Sequence, residues 1–255
     1  MASARVTHPK GAKTVLARLK RMYGAPARQP AEGEAIEQIV LAILAYNEST
    51  EKARIVLQKM KGYYVDFNEL RVARPAELVG HMGPTFAQNS PKAKKILAVL
   101  KGIFGRENSF DLTFFKTKSK QDLEEYFKDI PGADNYVLSS VILCCCGRQA
   151  FPLDEKMLEA CKELELARGP VDLENMQAYL ERQLRSADSY AFCQLLKKHA
   201  LKATAQAKAT TTTKKKASVK KKKVKSSVKE KTSKTSKKKK KKSAKQSKAR
   251  PKSKK

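Results

Sequence analysis

The sequence predicts an all-α body, residues 1–202, carrying a basic tail without regular structure, residues 203–255. Two observations carry that fold class. Apolar residues recur at helical spacing in nearly every segment of the body, and no stretch of four or more residues alternates in the manner of a strand. At residue 203 the composition changes to Lys, Ser, Thr and Ala with a few Val, no aromatic and no apolar period. Such a segment cannot bury enough surface to offset the entropy of ordering it.

The elements follow in order. A first helix is expected over about 13–23, KTVLARLKRMY, closed by Gly24. The next, about 32–46, ends in the apolar run LAILAY, and Ser49 caps a third over 50–61 with Gly62 at its end. Pro75 opens a short helix over 75–81 and Pro91 a longer one over 91–104 closed by Gly105, because proline has the φ of a first turn and needs no donor there. Ser119 caps 119–128, where Leu123 and Phe127 share a face. The turn Ile130-Pro131-Gly132 leads into 135–147, ended by Gly147; then come 154–167, with Gly169 beyond it, 172–185 and 188–202.

Charge separates the two parts. Of the net +30, the tail's 23 Lys and Arg250 less Glu230 supply +23, leaving +7 for the body. A near-absence of acids over such a length favours a polyanion over a merely solubilising role. Nucleic acid is preferred to a membrane, since no acylation motif, basic amphipathic helix or span of about 18 apolar residues accompanies the charge. The N-terminus has no signal-peptide core, so a cytoplasmic, nucleoid-associated protein is expected, or a nuclear one in a eukaryote. Cys144, Cys145, Cys146, Cys161 and Cys193 form no disulfide or metal spacing and read as small buried hydrophobes.

The stretch IPGADNYVLSSVIL, 130–143, makes two helices joined by a Pro-Gly turn. Such a turn leaves the first amides of the second helix free to hold a phosphate oxygen, although plain helix packing uses the same connection. Asp154, after Pro152-Leu153 and before EKMLEACKEL, is a strong N-cap.

Several stretches, in order, resemble the helix-hairpin-helix DNA glycosylases of the endonuclease III superfamily. They are LARLKRMYG (16–24), LAILAYNESTEKA (41–53), GPTFAQNSPKAKKI (83–96), IPGADNYVLSSVIL and GRQAFPLDEKM (147–157), which span most of residues 13–202. The resemblance implies two helical lobes with double-stranded DNA at the cleft between them. One lobe is expected over about 34–147, with the hairpin at 121–146; the other combines about 11–33 with 148–202. It also implies extrusion of a damaged base and cleavage of its N-glycosidic bond through a transition state with oxocarbenium character, which a carboxylate near the sugar stabilises. Asp154 lines up with that carboxylate, a role compatible with capping.

The departures limit what carries over. Tyr136 stands where lyase members carry a Schiff-base Lys, so a hairpin-borne lyase step is not expected. Asp134 replaces the second hairpin Gly, which disfavours phosphate unless its carboxylate turns away to cap the helix starting at Asn135. Glu155-Lys156 replaces the family's Thr-His. The four-Cys iron-sulfur segment is missing after QLLKKHALKATA, so no cofactor and no metal are expected, and His199, His81 and His8 have no second ligand at a useful spacing. The DNA-binding residues implied are Pro131, Gly132, Ala133, Asp134 and Asn135 in the hairpin, and Tyr46 and Asn47 near the gap left by a flipped base. Gln88, Asn89 and Lys92 are expected on the same groove. Tyr46 reads equally well as the last core residue of LAILAY.

The reading is a monomeric DNA glycosylase of base excision repair, monofunctional, with Asp154 as the charge-stabilising carboxylate. The alternative is a non-catalytic, chromatin-like DNA-binding protein built on a degenerate glycosylase fold.

Overall fold

The computed structural model describes residues 6–24 and 34–203. The Lys-rich tail and the segment 25–33 lie outside the described residues. The regular structure of the described residues is helical, apart from an isolated antiparallel bridge in which Thr7 and Arg168 exchange backbone hydrogen bonds of 3.0 and 2.8 Å. Its helices are α1 (Ala12–Tyr23), α2 (Ala35–Ala45), α3 (Thr50–Tyr63), α4 (Phe67–Val72), α5 (Pro75–Met82), α6 (Asn89–Glu107), α7 (Lys120–Lys128), α8 (Asn135–Cys144), α9 (Glu155–Glu163) and α10 (Leu173–Gln183). A last helix, α11, runs over 186–203. A 3₁₀ turn, Thr113–Lys116, lies between α6 and α7.

The sequence AIEQIVLAILA explains why α2 sits at the centre. It is apolar nearly all round, and Ile36 and every residue from 39 to 45 are buried, as a helix without a polar face must be. α3, α6 and α8 pack around it, α4 and α5 pack on α6, and α7 packs on α8. α1 and α9 each pack on α10. Among the described residues, no helix is long and apolar enough to cross a membrane.

Several helix ends depart from expectation. Gly62 and Gly105 lie inside α3 and α6, which run on to Tyr63 and Glu107. Burial of Val56, Leu57 and Met60 in one helix and of Val99, Leu100 and Ile103 in the other outweighs the roughly 1 kcal/mol that an interior Gly costs. α6 instead ends at Asn108, which takes the left-handed conformation at φ 56°. α4 escapes the periodicity because it has six residues and buries one of them, Leu70; it is set by Asp66, whose carboxylate accepts the Glu69 N–H at 2.8 Å.

The Pro-Gly turn is docked, and its docking partner is α6. A Cβ at Gly102 would meet Pro131 Cδ at 2.8 Å, so the missing side chain makes room for the turn. Gly132 has φ +86°, and a Cβ there would come within 3.3 Å of both the Lys95 carbonyl and Val99 Cγ2. Gly132→Ala is therefore expected to cost about 1–2 kcal/mol, read as a lower urea midpoint. An unchanged midpoint would mean that the turn relaxes freely off α6.

Candidate nucleic-acid interface and carboxylate site

The site forms where the C-terminus of α2 meets the N-terminus of α9. An α-helix ends with carbonyls that lack intrahelical donors, and its dipole makes that end attractive to cations. Three lysines from three helices satisfy this end of α2 and the residues after it. Lys92 of α6 donates to the Leu44 carbonyl at 2.8 Å, Lys197 of α11 to the Ala45 carbonyl at 2.5 Å, and Lys156 of α9 to the Asn47 carbonyl at 2.5 Å.

Asp154 ties the two helix ends together. It is 1 % exposed. Its Oδ1 accepts the Met157 N–H at 2.9 Å, which is the cap expected from sequence. Its Oδ2 accepts the Asn47 N–H at 3.0 Å and pairs with Lys197 Nζ at 3.2 Å. Asn47 is held at φ +54°, a conformation in which Asn is among the better tolerated residues. Its amide donates to Glu155 Oε2 at 2.6 Å. Burial alone would raise the Glu155 carboxyl, but hydrogen bonds from the Tyr46 hydroxyl and the Asn47 amide outweigh it and hold the group below its usual value.

Lys197 is the residue that sequence reasoning missed. Its third partner is the Tyr136 hydroxyl at 2.7 Å, so all three N–H groups are used. Burial would lower its pKa, yet Tyr136 and Asp154 outweigh burial and raise it above the model-peptide value of 10.5. With its folded value raised, the Lys197 ammonium's own contribution to stability is in place below pH 10.5 and is lost as pH climbs through the higher folded value. A signal was available in the sequence. Phe192, Cys193, Leu196 and Ala200 form the buried stripe of α11, and Lys197 lies within it, a cation where the pattern calls for an apolar residue.

The other expected site residues fall out as follows. Tyr136 is buried, and burial raises its phenol above the ordinary tyrosine value. Tyr46 is half-buried, its ring edge-on to Tyr136 with centroids 5.1 Å apart, and Lys95 Nζ lies 5.7 Å from its centroid. Pro131, Gly132, Asp134 and Asn135 are exposed and Ala133 is half-buried. Gln88 is exposed in the left-handed conformation, while Asn89 donates to the Gly83 carbonyl at 3.1 Å and helps begin α6. Lys92 departs from expectation. It is 3 % exposed, turned inward over the Phe86 ring, and burial lowers its pKa to about 8. The orphan carbonyl of Leu44 draws it in, so it does not face the groove.

Asp134 caps α8: its Oδ1 accepts the Val137 N–H at 3.0 Å and its Oδ2 pairs with Lys95. One carboxylate thus occupies an amide of the α8 N-terminus and neutralises a nearby lysine. Asp134→Gly releases both, and in protein cut after Ala203 it is expected to tighten duplex binding by about 1 kcal/mol, read by fluorescence anisotropy. Neutral or weaker binding would show that this helix end does not meet phosphate.

His199 Nδ1 lies 2.8 Å from the Tyr23 hydroxyl. The described residues contain no group of three or more His, Cys, Asp or Glu placed to hold a metal ion.

No protein-family model and no curated protein matches the sequence. Solved structures do match the fold. A trapped endonuclease III–DNA covalent intermediate aligns with a TM-score of 0.57 at 14% identity, over 72% of this chain and 82% of that one. The Helicobacter pylori 3-methyladenine DNA glycosylase bound to 1,N6-ethenoadenine gives 0.56 at 16%, over 78% and 99%. The Clostridium acetobutylicum 8-oxoguanine glycosylase/lyase bound to duplex DNA gives 0.57 at 15%, over 75% and 67%. The chain therefore has the fold of the helix-hairpin-helix DNA glycosylases, the fold class of endonuclease III.

Proposed function

We propose that the protein is a DNA glycosylase of base excision repair that binds double-stranded DNA as a monomer, extrudes a damaged base and breaks its N-glycosidic bond, with Asp154 stabilising the positive charge that develops on the sugar. The observation that carries this reading is the fixed carboxylate of Asp154 beside the hairpin helix α8, joined through Lys197 to Tyr136. A preorganised carboxylate needs no reorganisation when an oxocarbenium forms, which is how such a group lowers a barrier. The structural neighbours support the same reading, since they include an endonuclease III–DNA covalent intermediate, a 3-methyladenine DNA glycosylase bound to 1,N6-ethenoadenine and an 8-oxoguanine glycosylase/lyase in complex with DNA. The exposed hairpin and Gln88 supply the surface that would follow the duplex backbone. The net charge of +30 favours a polyanionic partner.

The test is incubation of the purified chain with duplexes that each carry one damaged base, followed by hot alkali to reveal abasic sites. Release of at least one base supports the reading. Tight duplex binding with no release from any substrate would replace it with a non-catalytic DNA-binding role.

A further inference from the structure

The surface cations of α1 and α11 take no part in the site around Asp154. α1, AKTVLARLKRMY, carries Lys13, Arg18, Lys20 and Arg21 and no acidic residue. All four are exposed, as are Lys198 and Lys202 on α11. Helical geometry places Lys198 and Lys202 about 100° and 140° round the axis from Lys197. They therefore point away from the junction in which Lys197 is buried against Asp154. They meet α1 at Tyr23, with the Lys198 ammonium 5.5 Å and the Lys202 ammonium 5.6 Å from its ring centroid. His199 lies at the same place, and burial, with Arg18 and Lys202 adding to it against Glu163, holds its imidazole below the usual value. Local energetics do not account for this gathering of charge. Lys13 stands in the first turn of α1, where the helix dipole disfavours a cation. Lys198 and Lys202 are like charges one turn apart, a spacing that costs a helix stability. The acids at hand are Asp188, which Lys20 meets at 3.5 Å, and Glu163. Six cations thus face two acids.

We propose that α1 and α11 form a second DNA surface, which takes the phosphate backbone of one duplex while the hairpin side holds another, so that a single chain joins two duplex segments. The proposal rests on the reading that the hairpin side binds double-stranded DNA. A duplex carries one negative charge per about 1.7 Å of its axis. The 12 residues of α1 span about 18 Å, so a duplex lying along it presents about ten charges to a helix that has no acid to repel them. A lipid surface suits this face less well. Val15, Leu16 and Leu19, the residues that would enter a bilayer, are buried in the core of the protein. Tyr23 adds preorganisation, because its ring gathers two long lysine side chains at one point before any phosphate arrives. Binding then orders fewer rotamers than it would for lysines free in solvent. A chain with two such surfaces passes from one duplex segment to the next without release, since the second is held before the first is left.

The experiment uses the full-length chain with an excess of short undamaged duplex, and reads lysine acetylation residue by residue by mass spectrometry, so that the Lys-rich tail does not obscure the body. Lys128, exposed just before the Pro-Gly turn, reports the hairpin; Lys13, Lys198 and Lys202 report the second surface. The expected result is that duplex removes most of the reactivity of all four. In parallel, donor- and acceptor-labelled duplexes mixed with the chain should show energy transfer. The triple variant Arg18→Gln, Lys198→Gln, Lys202→Gln changes only exposed residues, and should lose most of that transfer while Lys128 stays protected. Its salt slope should also be shallower by about 2.7, from three contacts at about 0.9 each. Lys13, Lys198 and Lys202 as reactive with duplex as without it, or energy transfer unchanged in the variant, overturns the proposal, and protection of Lys128 then leaves the hairpin reading in place. Protection of the second surface with Lys128 fully reactive removes DNA from the hairpin, and overturns that reading and the joining of two duplexes together.

Discussion

Asp154→Asn is expected to lower base release by roughly 10²- to 10³-fold, the usual loss when one preorganised electrostatic group is removed. From sequence alone the substitution separates two roles cleanly, because Asn caps a helix nearly as well as Asp. The structure shows a second consequence. Asparagine can keep its carbonyl oxygen on the Met157 N–H, but its amide would then face two donors, the Asn47 N–H and the Lys197 ammonium. A buried ammonium left without its carboxylate costs roughly 3–5 kcal/mol. The single variant should therefore unfold at lower urea as well as lose activity. Adding Lys197→Met to Asp154→Asn removes the stranded charge, so the double variant should recover much of the lost stability and none of the lost base release. Recovery of activity together with stability would mean that Asp154 serves only to hold the helix ends together. Single-turnover base release and urea midpoints on the same preparations decide it.

Removal of residues 204–255 is expected to produce the largest change in duplex affinity. If ten of the tail's 24 cations contact phosphates, log K falls against log salt with a slope of about −9, from about −0.9 per contact. The cut chain, with its much smaller charge, should show a far flatter slope. It should also keep its fold, because residues up to Ala203 form a compact unit by themselves. Equal slopes for the two chains would remove the tail from the DNA interface. The hairpin substitution Asp134→Gly is best read in the cut chain, where a change of about 1 kcal/mol is not buried under the tail's contribution.

These experiments separate three layers of the molecule. Salt slopes report the tail, the Asp134 variant reports the hairpin, and the Asp154 and Lys197 variants report the junction of α2, α8, α9 and α11.

The sequence by itself determined the helical class, most of the helices, the Pro-Gly turn and the capping role of Asp154. Each of these rests on local rules: the spacing of apolar residues, a first-turn proline, or a carboxylate within reach of an amide three residues on. α2 was legible for the same reason, since LAILA has no polar face to leave in water. Only the tertiary structure decided what surrounds Asp154. The Lys197 ammonium reaches it from 43 residues away, and the Asn47 backbone N–H from 107, contacts that no local pattern encodes. Lys92 misled for a related reason. A lysine in a polar first turn reads as exposed, but α6 sets it against the end of α2, where an unsatisfied carbonyl draws the ammonium inward. The same end of α2 collects Lys156 and Lys197, so the electrostatic centre of the site is a helix terminus whose partners become visible only once the helices have packed.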